Sequence, residues 1–169
     1  HSFPTRRSSD LINVFSCQKA KDFDEIKDYI KNSLPWAKIQ NINKFNANIS
    51  KSQALKANFK SENSQDALKQ NAQKSYEIAY SPCINGYNIA LDEKGIMLDS
   101  EGFAGLLENK SRVNFFIGGA YGFSNDFKNK MQKVISFSPL TMAHKIAKLV
   151  LFEQIYRALS INAKHPYHK

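Results

Sequence analysis

Val113-Asn-Phe-Phe-Ile117 runs directly into Gly118-Gly-Ala-Tyr-Gly122. Apart from Asn114 the run is apolar on both alternating faces, so it reads as a strand buried on both sides. Such a strand needs a packing layer above and below it, which points to an α/β domain with a mainly parallel sheet covered by helices on both faces. The rest of the chain alternates in keeping with this. Leu11 to Phe15 reads as a first strand. Phe23, Ile26, Ile30 and Leu34 recur at helical spacing, and Pro35 stops that helix. Trp36 to Ile42 reads as a second strand. Residues 51–80, with Leu55, Phe59, Leu68 and Tyr76, read as one or two exposed helices with a break at Asn63-Ser64.

The second half continues the pattern. Tyr87 to Leu91 is a strand after the Asn85-Gly86 turn. Ser100 is placed to cap a short helix carrying Phe103, Leu106 and Leu107. Ser124 is placed to cap another with Phe127 and Met131, and Val134 to Phe137 is a further strand. A long helix is expected over Thr141 to Asn162, with Ile146, Leu149, Val150, Ile155 and Leu159 on its apolar side. The whole of 11–169 fits one domain. His1 to Asp10 has no apolar period and no signal-type apolar core, and reads as an extension outside it.

Charge narrows the partners. The chain carries 24 Lys+Arg against 15 Asp+Glu, a formal net charge of +9. That balance favours polyanions: nucleic acid first, an anionic membrane surface second, with plain lysine-rich solubility as the alternative. No apolar run has the length of a membrane helix, so no membrane span is expected. Cys17 and Cys83 form no CxxC pair and no metal spacing, which fits reduced thiols in the cytoplasm.

Open α/β sheets take ligands outside the carboxyl ends of their strands. Three segments stand at such ends: Leu91-Asp92, Gly118 to Gly122, and Ser138 to His144. The glycines would allow close backbone approach to a flat polar ligand. There is no GxxxxGK[ST] loop, no GxGxxG after the first strand and no GxSxG elbow. P-loop NTPase, ordinary dinucleotide-binding and α/β-hydrolase readings therefore lack support.

The remaining polar candidates lie towards the C-terminus. His144 opens the last helix and reads as a general base, an RNA contact or a plain helix-start residue. Glu153 and Arg157 have the spacing of a helical ion pair, with a phosphate as the other role for Arg157. Tyr156 and Tyr167 have rings that could stack on a base or pack at an interface. His165 and His168 lie three apart without cysteine or carboxylate neighbours in the tail, so no metal site is expected.

Read in order, Asn88-Ile-Ala-Leu-Asp-Glu-Lys-Gly95, Ser100-Glu-Gly-Phe-Ala104, Phe116-Ile-Gly-Gly-Ala-Tyr-Gly122, Ser136-Phe-Ser-Pro-Leu-Thr-Met-Ala-His144, Glu153-Gln-Ile-Tyr-Arg-Ala158 and His165-Pro-Tyr-His168 closely resemble the ribosomal RNA large subunit methyltransferase H family. The resemblance covers about half the chain, from Asn88 to the end. It implies a SPOUT-class enzyme with a C-terminal trefoil knot, working as a homodimer and methylating N3 of a pseudouridine in large-subunit ribosomal RNA. The implied cofactor is S-adenosyl-L-methionine, held by Leu91, Gly118, Gly119, Ser138, Pro139, Leu140, Thr141, Met142 and Ala143. His144 and His168 become the catalytic candidates, and Arg157, His165 and Tyr167 the RNA contacts.

Two positions depart from the family pattern: Ala143 stands where proline is common, and Ala120-Tyr121 where Pro-Glu or Ala-Asp/Glu is common. Two other readings follow from the same residues. One is a SPOUT enzyme acting on transfer RNA, which a separate RNA-binding domain would favour. The other is a non-catalytic RNA-binding assembly factor, which the three retained strand-end loops argue against.

Overall fold

The computed structural model describes residues 10–55 and 62–169. Residues 1–9 of the expected N-terminal extension, and Phe59, lie outside them. Five strands, β1 (Leu11–Ser16), β2 (Lys38–Asn43), β3 (Tyr87–Met97), β4 (Arg112–Ile117) and β5 (Lys133–Ser136), form one sheet in the order β2-β1-β4-β3-β5. Every pairing between neighbours is parallel. The apolar run Val113–Ile117 therefore lies in the central strand.

Six helices cover the sheet: α1 (Glu25–Ser33), α2 (Ala47–Leu55), α3 (Glu62–Tyr80), α4 (Ser100–Leu107), α5 (Asn125–Asn129) and α6 (His144–Asn162). Side chains along β4 alternate between two cores. Val113, Phe115 and Ile117 pack with Ile26 of α1, Phe103 of α4, and Leu151 and Phe152 of α6. Phe116 points the other way, into Phe15, Ile49 of α2, Tyr76 and Tyr80 of α3, and Phe127 of α5. Burial on both faces, the property that made Val113–Ile117 legible, is what this double covering requires.

Asn114, the one polar residue in the run, has a partner on each side. It stands in register with Asn13 of β1 and Asn88 of β3. Asn13 Nδ2 donates to Asn114 Oδ1 at 3.0 Å, and Asn114 Nδ2 donates to Asn88 Oδ1 at 3.0 Å and towards the carbonyl of Asn85. All three strand asparagines are buried. A one-residue slip would carry these amides to the opposite face and leave them unpaired, so the row favours the observed register.

Local chemistry shifts several expected boundaries. Asp99, not Ser100, caps α4: its Oδ1 accepts from the Gly102 N–H at 2.7 Å, and Ser100 becomes the first helical residue. Ser124 caps α5 as expected, accepting from Phe127 N–H at 3.2 Å. Asn63-Ser64 lies inside α3 rather than at a break. β3 runs past Leu91 to Met97, with a register jump in which both Leu91 and Ile96 pair with Ile135. Gly95 permits the re-pairing, since a Cβ there would sit 2.6 Å from the Ile135 carbonyl carbon. The long helix begins at His144 instead of Thr141, because residues 138–143 form a hydrogen-bonded loop.

The polar row yields a direct prediction. Asn114→Ala strands the amides of Asn13 and Asn88 inside the core and should cost about 2–3 kcal/mol. Chemical denaturation monitored by circular dichroism would measure the loss.

Candidate functional site

Beyond the carboxyl ends of β4 and β5, and beside the register jump within β3, the chain leaves a cleft of about 740 Å3. One wall is Gly118 to Gly122, leaving β4. A second is Leu91 to Lys94, the start of the β3 excursion. The third is Ser136 to Met142, leaving β5, with His144 and Ala147 of α6 below it. Of the residues expected to hold a cofactor, Leu91, Gly118, Gly119, Ser138, Leu140, Thr141 and Met142 line this space. Pro139 and Ala143 belong to the same loop without lining it; Ala143 is the N-cap of α6.

The loops are braced by side-chain bonds. Ser136 Oγ donates to the Ser138 carbonyl at 2.9 Å, and Ser138 Oγ accepts from Leu140 N–H at 3.0 Å. Thr141 Oγ1 donates to Glu93 Oε2 at 2.9 Å, tying the third wall to the second. Asp92, with its side chain only 6% exposed, pairs with Lys128 of α5 at 3.1 Å and accepts from Lys94 N–H at 2.9 Å. α3 braces the glycine loop from behind: Gln73 Nε2 donates to the Tyr121 carbonyl at 3.0 Å, and Glu77 Oε1 accepts from Ser124 N–H at 2.8 Å.

The reason for glycine at 119 differs from the expectation. A Cβ there would lie 2.8 Å from the Tyr76 ring of α3. The position is small because helix and loop pack closely, not because its missing side chain faces the cleft. Tyr121 leaves the glycine loop without a carboxylate, yet Asp92 reaches it from β3: a Cβ on Gly122 would be 3.0 Å from Asp92 Oδ2.

α6 is fixed by an ion pair, buried at its lysine and partly exposed at its aspartate, that sequence reasoning missed. Lys148 is fully buried; its Nζ lies 3.0 Å from Asp22 Oδ1 and donates to Ser16 Oγ at 2.9 Å. Asp22 also accepts from Asn41 Nδ2 at 2.8 Å. Burial lowers the pKa of Lys148, and the bond and charge of Asp22 oppose that. The pair anchors the first turns of α6, and so His144, to the end of β1. A lysine on the stripe Leu151, Phe152, Ile155, Ala158 and Leu159 was the available signal. That stripe is the buried side of α6. Ile146, by contrast, is 48% exposed and Val150 half-buried, and these two do not share the buried side, whereas Leu149 packs against the same core as Ile155 and Leu159.

The other expected residues gather at the far end of α6. Arg157 lies thirteen residues after His144, about 20 Å along the helix. Its Nη2 bonds Glu153 Oε1 at 2.6 Å, and its Nη1 is 3.1 Å from His168 Nδ1. Tyr167 donates to Glu153 Oε1 at 3.1 Å, and the Arg157 guanidinium lies 4.8 Å over its ring. Glu153 raises the pKa of Arg157; burial, then the Glu153 bond, raises that of Tyr167, which remains a hydrogen-bond donor at neutral pH. His144 and His168 are thus not brought together within one chain. Cys17 is no rival nucleophile, because burial pushes its thiol up to about 11.

The chain is similar in sequence to known proteins. Residues 10–168 match the family described as predicted SPOUT methyltransferase. Proteins named ribosomal RNA large subunit methyltransferase H are similar along nearly their whole length. The one from Campylobacter fetus subsp. fetus is 57% identical over 90% of this chain and 94% of its own. Those from Campylobacter concisus and Aliarcobacter butzleri are 50% and 46% identical, each over 94% of this chain and 99% of their own.

The Lys148 pair is testable by asymmetry. Asp22→Asn leaves a buried ammonium without its counter-charge and should cost about 2–3 kcal/mol, whereas Lys148→Met should cost far less. In Asp22→Asn the folded pKa of Lys148 should fall further below the ordinary lysine value that the unfolded chain keeps. Between those two values the unfolded chain holds a proton that the folded chain has lost, so stability should rise with pH there. Thermal melts across alkaline pH, compared with Lys148→Met, would show it.

Proposed function

The chain belongs to the SPOUT methyltransferase family, and from that premise we propose that it methylates N3 of a pseudouridine in large-subunit ribosomal RNA, as a cytoplasmic homodimer. SPOUT methyltransferases use S-adenosylmethionine, and the strand-end cleft fits it. The volume is that of a small-molecule site. Leu91, Ile117, Phe137 and Met142 offer apolar walls to a purine, and backbone groups of the two loops offer hydrogen bonds. Bound there, S-adenosylmethionine supplies an electrophilic methyl group on a sulfonium that departs as a neutral thioether.

The chain's own residues have to deliver the acceptor. N3 of the base carries a proton that must leave as the N–C bond forms. His144, which lines the cleft, is the candidate to accept it. His168 is better suited to another task. Arginine only donates, so Arg157 makes His168 Nδ1 an acceptor, and in the neutral ring the proton then sits on Nε2. His168 Nε2–H and the Arg157 guanidinium are donors to the carbonyl oxygens beside N3, where negative charge develops. His165 and Tyr167 hold the base, and the +9 chain supplies phosphate attraction.

One observation carries the dimer. The cleft and the tail cluster stand at opposite ends of α6, so a single chain separates the methyl donor from the groups assigned to the acceptor. A second copy can bring its tail to the first copy's cleft. Exposed apolar residues suit such an interface: Ile96, Met97 and Leu98 at the end of β3, Leu140 before α6 and Ile146 in its first turns. Isologous pairing would then make two equivalent sites.

Light scattering at micromolar concentration should report about twice 19.2 kDa; a monomer would remove the shared site. Deleting His165–Lys169 should leave S-adenosylmethionine affinity and melting temperature nearly unchanged while abolishing methylation of ribosomes from a methyltransferase-deficient strain. Calorimetry and mass analysis of the RNA measure the two halves of that claim. A truncated protein methylating at the full rate would refute the assignment of the tail.

A further inference from the structure

The tail does not rest on α6 alone. Its exit is set by a helix-ending turn in which His165 N–H donates to the Ser160 carbonyl at 2.8 Å and Lys164 N–H to the Ile161 carbonyl at 3.0 Å. This turn puts Lys164 at φ 56°, a left-handed conformation that side-chain-bearing residues seldom adopt. Such a conformation persists where surrounding contacts fix it. The contact beyond the turn comes from the other half of the chain: the ring of His165 lies edge-on to Trp36, centroids 5.3 Å apart at 66°. Trp36 is itself held. Its N–H donates to the Ser33 carbonyl at 2.9 Å, and its ring lies 5.8 Å from Tyr156, which stands 4.6 Å from Tyr167.

Trp36, at the entrance to β2, thus holds His165 directly and Tyr167 through Tyr156. Resting on the reading that the tail holds the acceptor base, we propose that Trp36 is a positioning residue for methyl transfer, which sets where the tail presents its donors without touching cofactor or RNA. Trp36 is half-buried, lies at the edge of the core and takes no part in lining the cleft. Its loss should therefore move the tail while leaving the cofactor site as it was. A displacement of about 1 Å at a reacting group is worth on the order of 10²-fold in rate.

The experiment uses the full chain, with methyltransferase-deficient ribosomes as substrate and S-adenosylmethionine as the calorimetric probe. Trp36→Leu keeps apolar bulk and removes the aromatic edge; Trp36→Phe keeps a ring. The expected result for Trp36→Leu is a fall of about 100-fold in kcat, larger than any change in KM, with cofactor affinity unchanged and most of the rate restored in Trp36→Phe. A Trp36→Leu protein methylating at the wild-type rate, while the protein lacking His165–Lys169 is inactive, overturns the role of Trp36 and leaves that of the tail standing. Full activity of the truncated protein overturns both. A loss of cofactor affinity in step with rate marks Trp36 as merely structural and also overturns the proposal. Trp36 is the only tryptophan, so its fluorescence reports docking even if the leucine variant does not fold. Removing His165–Lys169 should alter the emission, and superimposable spectra would show that the tail is not seated on it.

Discussion

Parallel strands that stop at one edge of a sheet leave carbonyl groups that the ladder no longer pairs, and here α3 satisfies those beside the cleft. Tyr80, completely buried, donates to the Ile117 carbonyl at 2.6 Å, with the Phe15 carbonyl 3.3 Å away. Tyr76 donates to the Cys17 carbonyl at 3.0 Å. Burial raises the pKa of Tyr80 well above the ordinary phenol value, so it remains a donor throughout the neutral range. The two phenols hold the ends of β4 and β1 against one helix. With the strand end fixed and the Tyr76 ring against its back, the glycine loop turns out over the cleft. Gln73 and Glu77, on the same helix, secure the rest of that turn. The wall of the cleft is thus set by a helix whose sequence looked like an ordinary exposed segment.

That contrast explains what could be read from the sequence. The parallel sheet was legible because burial on two faces leaves a local mark, the run Val113–Ile117. The cleft was legible because strand ends followed by Gly118-Gly119 and by Ser138 to His144 can be placed without tertiary knowledge. The side-chain braces were not. Asp22 and Lys148 lie 126 residues apart, and each alone looks like a solvated charge. On α6 the error was one of phase: Ile146 and Val150 are apolar, yet the buried stripe passes through Lys148, Leu151 and Phe152. The excess apolar character is intelligible if those outward residues meet another copy. Asp92-Glu-Lys-Gly95 looked like the end of a strand because only the backbone approach at Gly95 reveals that β3 resumes.

α6 gives the proposed mechanism its form. It carries His144 at one end and Arg157 towards the other, with the Lys148–Asp22 pair locking the first end to β1 and the aromatic contact of Trp36 with His165 fastening the segment after the second. Both ends are thereby tied to other parts of the fold, and the length of the helix keeps the cleft and the tail cluster apart within a chain. In the proposed dimer, such separation would favour alignment across a two-fold axis, because each subunit would offer a preformed half-site.

Subunit complementation tests this arrangement most directly. Gly119→Val drives a branched side chain against Tyr76 and disables the cleft, while removal of His165–Lys169 disables the tail. Each homodimer should be inactive on ribosomes. Co-expressed and purified as a mixed dimer, the two should recover methylation, because one subunit retains an intact cleft and its partner an intact tail. A mixed dimer as inactive as its parents would contradict a site shared between subunits.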